Sequence, residues 1–227
     1  MGTQTGLAAL RERVQKAADT GGEYEKAKWL SFKPNTAVKV RFLQEIDPDS
    51  PNYDPERGLA LIASEISDPN DFKKKCVSTL ETEGKCYGTE MHLALKGTEG
   101  YNGGWRPKVR LYVNVLVFPE DGSDPYVAIL SQGMSGKSIT PTLLDYAEES
   151  ITNKVFKIRR TGDGFNNTSY SLAFVSEDKT PFDYEGLDLY DLNTVAVRNV
   201  PYAEQAAFFG GGEPAAVADS TSSNTEW

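Results

Sequence analysis

Apolar side chains return at every second position in several short stretches of this chain, the period of a β-strand with one buried face. In TAVKVRFL (36–43), Val38, Val40 and Phe42 alternate with Lys39 and Arg41. The same reading predicts strands over 59–66, WRPKVRLYVNVLVF (105–118), YVAILS (126–131), NKVFKIRRT (153–161) and TSYSLAFV (168–175). Two stretches follow a helical period instead. Leu7, Leu10, Val14 and Ala17 put one apolar stripe on GLAALRERVQKAAD, and Gly21-Gly22 stops it. Thr140, followed by Pro141, reads as the N-cap of a short helix, PTLLDYAEES.

Between these elements lie turns: DPDSPNYDPERG (47–58), DPND (68–71), PEDGSDP (119–125) and GDGFNN between the last two strands. Residues 73–104 hold both cysteines and the only histidine among charges and glycines, and read as an inserted irregular loop subdomain. Residues 177–202 are acidic and irregular, yet keep enough apolar residues to wrap a domain. After Tyr202 the composition of GGGEPAAVADSTSSNTEW cannot bury apolar surface, so disorder is expected there. The expected organisation is an N-terminal helical segment (1–22), a mainly β domain with short helices (23–202) and an acidic interaction tail (203–227). Many short strands with so few helices favour a β-barrel over a layered α/β sheet.

Charge sharpens this picture. The chain of 227 residues has a net charge of −9, which alone argues against a nucleic-acid ligand. From Glu177 onward, however, ten acids face two bases, while residues 1–176 hold 22 bases and 23 acids. A nearly neutral body therefore carries a strongly acidic end, an asymmetry that suggests separate partners for each. No run of eighteen apolar residues is present, so no membrane partner is expected. The N-terminal sequence has no basic stretch leading into an apolar one, and two cysteines make no disulfide scaffold, so a reducing cytoplasm is the expected compartment.

Three strands place cations at alternate positions: Lys39 and Arg41; Arg106, Lys108 and Arg110; Lys157 and Arg159. On the 105–118 strand, Tyr112 and Asn114 continue the cationic face, opposite a core face of Trp105, Pro107, Val109, Leu111, Val113, Val115 and Val117. Cations that track phosphates and rings on which bases stack are what sequence-independent binding of single strands requires. Tyr87, Tyr101, Trp105, Tyr112 and Phe165 are the candidate rings, and Lys137 is a further candidate phosphate contact. Alternating cations on half-solvated strands are the plainer explanation.

The order of KKCVSTLETEGKC, RPKVRLYVNVLVF, GKSITPTLLDYAEES and VFKIRRTGDGFNNTSYSLAF resembles the single-stranded DNA-binding (helix-destabilising) proteins of tailed bacteriophages, including the T-even type. The resemblance covers roughly residues 26–176. It implies an oligonucleotide/oligosaccharide-binding (OB) fold barrel, a role in phage DNA replication, recombination and repair in the bacterial host cytoplasm, and self-association on DNA. By position it supports Lys108, Tyr112 and Asn114. It also implies recruitment of phage replication or recombination proteins by the acidic tail, where Glu226 and Trp227 form a compact anionic-aromatic end. The T-even proteins hold a structural zinc. Here the candidate ligands are Cys76, Cys86 and His92, with Glu90 or Asp71 as the fourth, but Thr89 and Ala63 stand where further ligands belong. Cys-x9-Cys-x5-His is not a recognised spacing, so no cofactor is expected and zinc is the alternative.

GMSGKS (133–138) evokes a phosphate loop, but the first glycine of that motif falls on Ser131. Glu148 and Glu149 are helix neighbours that do not face each other. No enzymatic constellation emerges. The alternative to DNA binding is a phage interaction or scaffold protein that uses the barrel for protein contacts.

Overall fold

The computed structural model describes residues 27–164, 167–177 and 187–210. The helix expected over 6–19, Phe165, Glu226 and Trp227 lie outside these residues. The chain is mainly β. Its strands are β1 (Ala37–Phe42), β2 (Leu61–Ser67), β3 (Lys75–Val77), β4 (Lys108–Phe118), β5 (Tyr126–Gly133), β6 (Lys154–Thr161) and β7 (Ser169–Glu177). The described helices are α1 (Leu80–Glu83), α2 (Tyr87–Leu95), α3 (Thr140–Ala147), α4 (Leu192–Val195) and α5 (Tyr202–Phe209). The hydrogen-bonded order is β3-β2-β4-β1-β6-β7, with β5 on β4. This path is open, with β3 and β7 at its ends, so the described strands do not close into a barrel. No described helix is long and apolar enough to cross a membrane.

The chain divides into two compact units, and β4 contributes to both. In the first unit β1 lies between the second half of β4 and β6, and β6 pairs with β7, all antiparallel. The alternation predicted for β1 and β6 holds at Lys39–Val40 and from Phe156 to Arg159, while Arg41 and Val155 are buried out of turn. Val40, Phe42, Phe156 and Ile158 are fully enclosed, while Lys39, Lys157 and Arg159 are exposed. Edge-to-face rings build the core: Phe42 and Phe156 lie 5.5 Å apart, and Tyr146 of α3 meets Phe156 at 5.1 Å. α3 spans Thr140–Ala147, so Thr140, expected as the N-cap, is its first residue, and its hydroxyl donates to the Gly133 carbonyl, 2.7 Å away.

The second unit pairs β3 with β2 and β2 with the first half of β4. Residues 73–104 are more regular than their composition suggests, since they supply β3, α1 and α2. α2 lies close to β2 because Gly88 has no side chain: a Cβ there would meet Ile66 Cγ2 at 2.6 Å. Ile66, Cys76, Cys86, Tyr87, Trp105, Val200 and Phe209 form the core of this unit. Phe209 belongs to α5, so residues 203–210, placed in the disordered tail by composition, fold back as a helix that completes the core. Gln205 holds that helix in place; it is fully buried, accepts from the Tyr87 amide at 2.9 Å and donates to the Val200 carbonyl at 3.0 Å.

Candidate nucleic-acid interface

Register decides which of the predicted residues meet. Lys39 of β1 lies directly opposite Lys157 of β6, and Ala37 opposite Arg159. On the other side of β1, Lys39 faces Phe118 of β4; across β6, Lys157 faces Ala173 and Arg159 faces Ser171 of β7. Paired residues share a face of the sheet. One solvent-facing surface of the first unit therefore carries the row Phe118–Lys39–Lys157–Ala173 and, beside it, Ala37–Arg159–Ser171. Ala173 and Ser171 are exposed and too short to cover the cations, and Phe118 is half-buried. Lys39, Lys157 and Arg159 make no ion pair among the described residues. Like charges placed directly across a ladder repel. Three cations and a ring, with no acid paired to them among the described residues, form a surface suited to a polyanion.

Arg41 occupies the same face but is a structural residue. It is buried, and its Nε donates to the Thr152 carbonyl at 2.7 Å. The segment 150–154 covers it. Within that segment the buried Glu45 carboxylate accepts from the amides of Ile151 (3.2 Å) and Thr152 (3.1 Å) and from the hydroxyls of Ser150 and Thr152. The cationic face ends where this clasp begins.

The β4 assignments need correction. Strand positions 111–117 are buried without alternation, whereas Val109, assigned to the core, is 44% exposed. Tyr112 has no exposed area. Its hydroxyl donates to Glu65 at 2.6 Å, and Lys75 Nζ reaches both Glu65 (2.9 Å) and the Tyr112 oxygen (2.8 Å). Burial first, and the bond to Glu65 second, push the Tyr112 phenol far above its usual pKa. An enclosed ring offers no base a stacking face, so Tyr112 is a core residue here. Asn114 is likewise enclosed. Its side-chain nitrogen donates to Gln44 and to the Tyr190 carbonyl, both at 3.0 Å.

Tyr87 and Trp105 are corrected on the same ground. They pack edge-to-face 5.5 Å apart, and each meets Phe209, so these rings stack on one another inside the second unit. Tyr101 is half-buried, with its hydroxyl 2.9 Å from His92 Nδ1. Arg106 and Lys108 are exposed. Arg110 is partly exposed, donates to Ser131 Oγ at 3.1 Å and sits 3.9 Å from Glu65. Lys137 is exposed in the turn before α3.

The metal candidates do not gather. Among the described residues no three His, Cys, Asp or Glu side chains form a ligand set. Cys76 and Cys86 are buried in the core, and burial, then the neighbouring Cys86 and Glu65, push the Cys76 thiol up to about 12. Glu90, a candidate fourth ligand, accepts from the Tyr202 hydroxyl at 2.9 Å. These residues do not fit a zinc ion.

Phe118 was missing from the sequence-derived set. It shares the parity of Arg106, Lys108 and Arg110 on β4, but only the pairing with Lys39 brings it to the cationic face. Comparison of the chain with protein-family models, curated proteins and solved structures finds no match.

Proposed function

We propose that this chain binds single-stranded DNA without sequence preference, through the exposed face shared by β1, β6, β7 and the end of β4. The observation that carries the reading is the opposition of Lys39 and Lys157, flanked by Arg159 and Phe118, with no acid paired to any of these cations among the described residues. Phosphates relieve the repulsion, and a ring set beside them gives a base its stacking surface, the two ingredients of non-specific single-strand binding. An antiparallel sheet that lends one face to a strand is also how OB-type domains use their surface, in keeping with the resemblance drawn from the sequence. On that resemblance the chain acts in phage DNA replication, recombination and repair in the bacterial cytoplasm. The acid excess after Glu177 serves partner proteins, and neighbouring molecules associate along the strand.

The test is titration with fluorescent oligo(dT) across a salt series. Three phosphate contacts give a slope of log K against log salt of about −2, at ~0.7 per contact. Duplex of equal length should bind more weakly. A salt-independent affinity, or no binding at low salt, refutes the proposal and leaves the protein-interaction reading standing.

A further inference from the structure

The hydrogen-bonded path ends at β7, and among the described residues no group bonds to its outer edge. One bond in the neighbouring strand fixes which residues offer that edge. The Arg160 amide donates to the Thr36 carbonyl at 2.9 Å, so it points toward β1. Along an antiparallel ladder, pairs that exchange both backbone bonds alternate with pairs that exchange none. Arg160, Ile158 and Phe156 therefore bond to β1, and Thr161, Arg159 and Lys157 bond to β7. Their partners Ser169, Ser171 and Ala173 spend their backbone groups on β6, while Tyr170, Leu172 and Phe174 direct theirs outward.

This edge lacks the residues that blunt most sheet edges. From Ser169 to Phe174 there is no proline, no glycine and no charge. A bulge closes the regular stretch, because Phe156 pairs with Phe174 but Val155 pairs with Ser176, leaving Val175 unmatched. Phe174 shares the core face with Phe156 and stacks on Tyr146 at 6.5 Å, yet it stays 44% exposed. No described strand lies beyond β7 to cover it.

We propose that a second copy of this chain adds its own β7 to this edge, antiparallel, about a two-fold axis at Leu172. A two-fold operation pairs a surface with itself, so the edge must suit its own reverse. Centred on Leu172, it does. Leu172 meets its counterpart, Tyr170 meets Phe174 of the second copy, and each such pair exchanges two backbone bonds. Phe174 thereby gains an aromatic cross-strand neighbour. An axis at Ser171 or Ala173 would instead leave Phe174 or Tyr170 outside the paired stretch. On the solvent face Ala173 meets Ser171 of the second copy, so no like charges are opposed. The nearest cations across the seam, Lys157 and Arg159 of the second copy, lie three strand spacings apart, about 14 Å, beyond the ~8 Å Debye length. The backbone bonds are open to any extended peptide; the match of the edge to its own reverse selects a second copy. The joined sheets share one solvent face bearing Lys39, Lys157 and Arg159 from each copy. A DNA strand crossing the seam would engage both sets at raised effective concentration, and only this consequence rests on the single-strand reading.

The test uses the full chain without DNA. Ser171→Cys and Ala173→Cys, both at exposed positions, are oxidised with diamide separately and as a mixture. In the proposed register, position 171 of one copy faces 173 of the other at a Cα separation of about 4.5 Å, within disulfide range. Two copies of one variant hold their introduced thiols ~7–8 Å apart, out of range. Covalent dimers are expected from the mixture and from neither variant alone; the buried Cys76 and Cys86 are common to every arm. Sedimentation velocity over a concentration series should show the parent passing from monomer to dimer. Ser171→Lys with Ala173→Lys creates two like-charge pairs across the seam and should move that transition to about two- to thirtyfold higher concentration. A parent that stays monomeric, a transition unmoved by the double variant, or crosslinking no greater in the mixture than in the single variants overturns the proposal. Oligo(dT) binding by a chain that never dimerises leaves the single-strand reading standing, and a dimer that ignores oligo(dT) leaves the pairing standing.

Discussion

Replacing Lys157 by alanine has opposite expected effects on binding and on folding, which makes it a stringent probe of the β1–β6 face. Lys157 lies directly across from Lys39, and both are exposed. Side chains so paired have Cβ atoms ~5 Å apart. Two unit charges ~6 Å apart in water repel by about 0.7 kcal/mol. At 0.15 M ionic strength, with a Debye length of ~8 Å, about half of that is screened. Removing one charge should therefore raise the stability of the free protein by a few tenths of a kcal/mol. The same change deletes one phosphate contact. At 0.1 M salt, release of ~0.7 counterion is a factor of about five, or about 1 kcal/mol, lost from DNA affinity. The salt slope should become shallower by ~0.7. Lys39→Ala with Lys157→Ala should lose about 25-fold and ~1.4 in slope, the sum of two independent contacts. Urea unfolding of the free variants and fluorescence titration between 0.05 and 0.4 M salt measure both quantities. An unchanged salt slope, or a variant destabilised by more than about 1 kcal/mol, would show that Lys157 is held by the fold rather than offered to a ligand.

Phe118→Ala should weaken oligo(dT) binding by ~1–3 kcal/mol while leaving the salt slope intact, because it removes a stacking surface and no charge; a loss confined to thermal stability would make Phe118 a packing residue. Glu45→Ala orphans the donors of residues 150–152 and should cost ~3–5 kcal/mol of stability, read by urea unfolding, as for a broken buried charged network. A cost under about 1 kcal/mol would mean water replaces the carboxylate. Cys76 has its folded pKa raised from 9.0 to about 12, so the unfolded chain loses that proton first as pH rises. Stability should be intact below pH 9 and fall between pH 9 and 12 by at most about 1.4 kcal/mol per pH unit from this group. Cys76→Val should flatten that part of the profile, and an unaltered profile would assign the alkaline loss elsewhere.

What was legible in the sequence follows from how many faces of each strand are covered. β1 and β6 have one open face, so Lys39, Lys157 and Arg159 stand out against Val40, Phe156 and Ile158 by simple alternation. β4 is covered on both faces from Leu111 to Val117, and such strands read as continuous apolar runs rather than as alternation. Tyr112 and Asn114 therefore fell on a face that the pattern called exposed. The signals that would have moved them were distant ones, Glu65 for the phenol and Gln44 for the amide. Tyr87 and Trp105 carried the marks of stacking residues, aromatic and set among glycines and cations. Their actual partner is Phe209, in a segment whose small and polar neighbours read as tail. Phe118 was within reach by counting in twos from Arg106, but its meeting with Lys39 depends on a register that spans the chain from 39 to 118.

Arg41 and Lys39 show why register alone does not make a binding face. They are two residues apart on one strand and point the same way, yet one is buried and the other open. The difference lies in the segment 150–154. Ser150 adopts φ 97°, a left-handed conformation that non-glycine residues avoid, so other contacts must hold it there. Asn52 donates to its hydroxyl at 2.9 Å, Lys154 Nζ donates to its carbonyl at 2.7 Å, and Glu45 gathers the hydroxyls and amides beside it. With that segment fixed, the Arg41 guanidinium gains the Thr152 carbonyl and loses access to any ligand. One row further along β1 nothing comparable among the described residues covers the sheet, and the opposed lysines are exposed. The clasp thus does two things: it buries Arg41 and gives its guanidinium a backbone acceptor, and it fixes the β1–β6 segment on which the remaining cations are presented. What the clasp fixes is backbone: the positions of Lys39, Lys157 and Arg159 on the sheet are set, while their exposed side chains remain to be ordered by whatever they meet, a cost that subtracts from affinity.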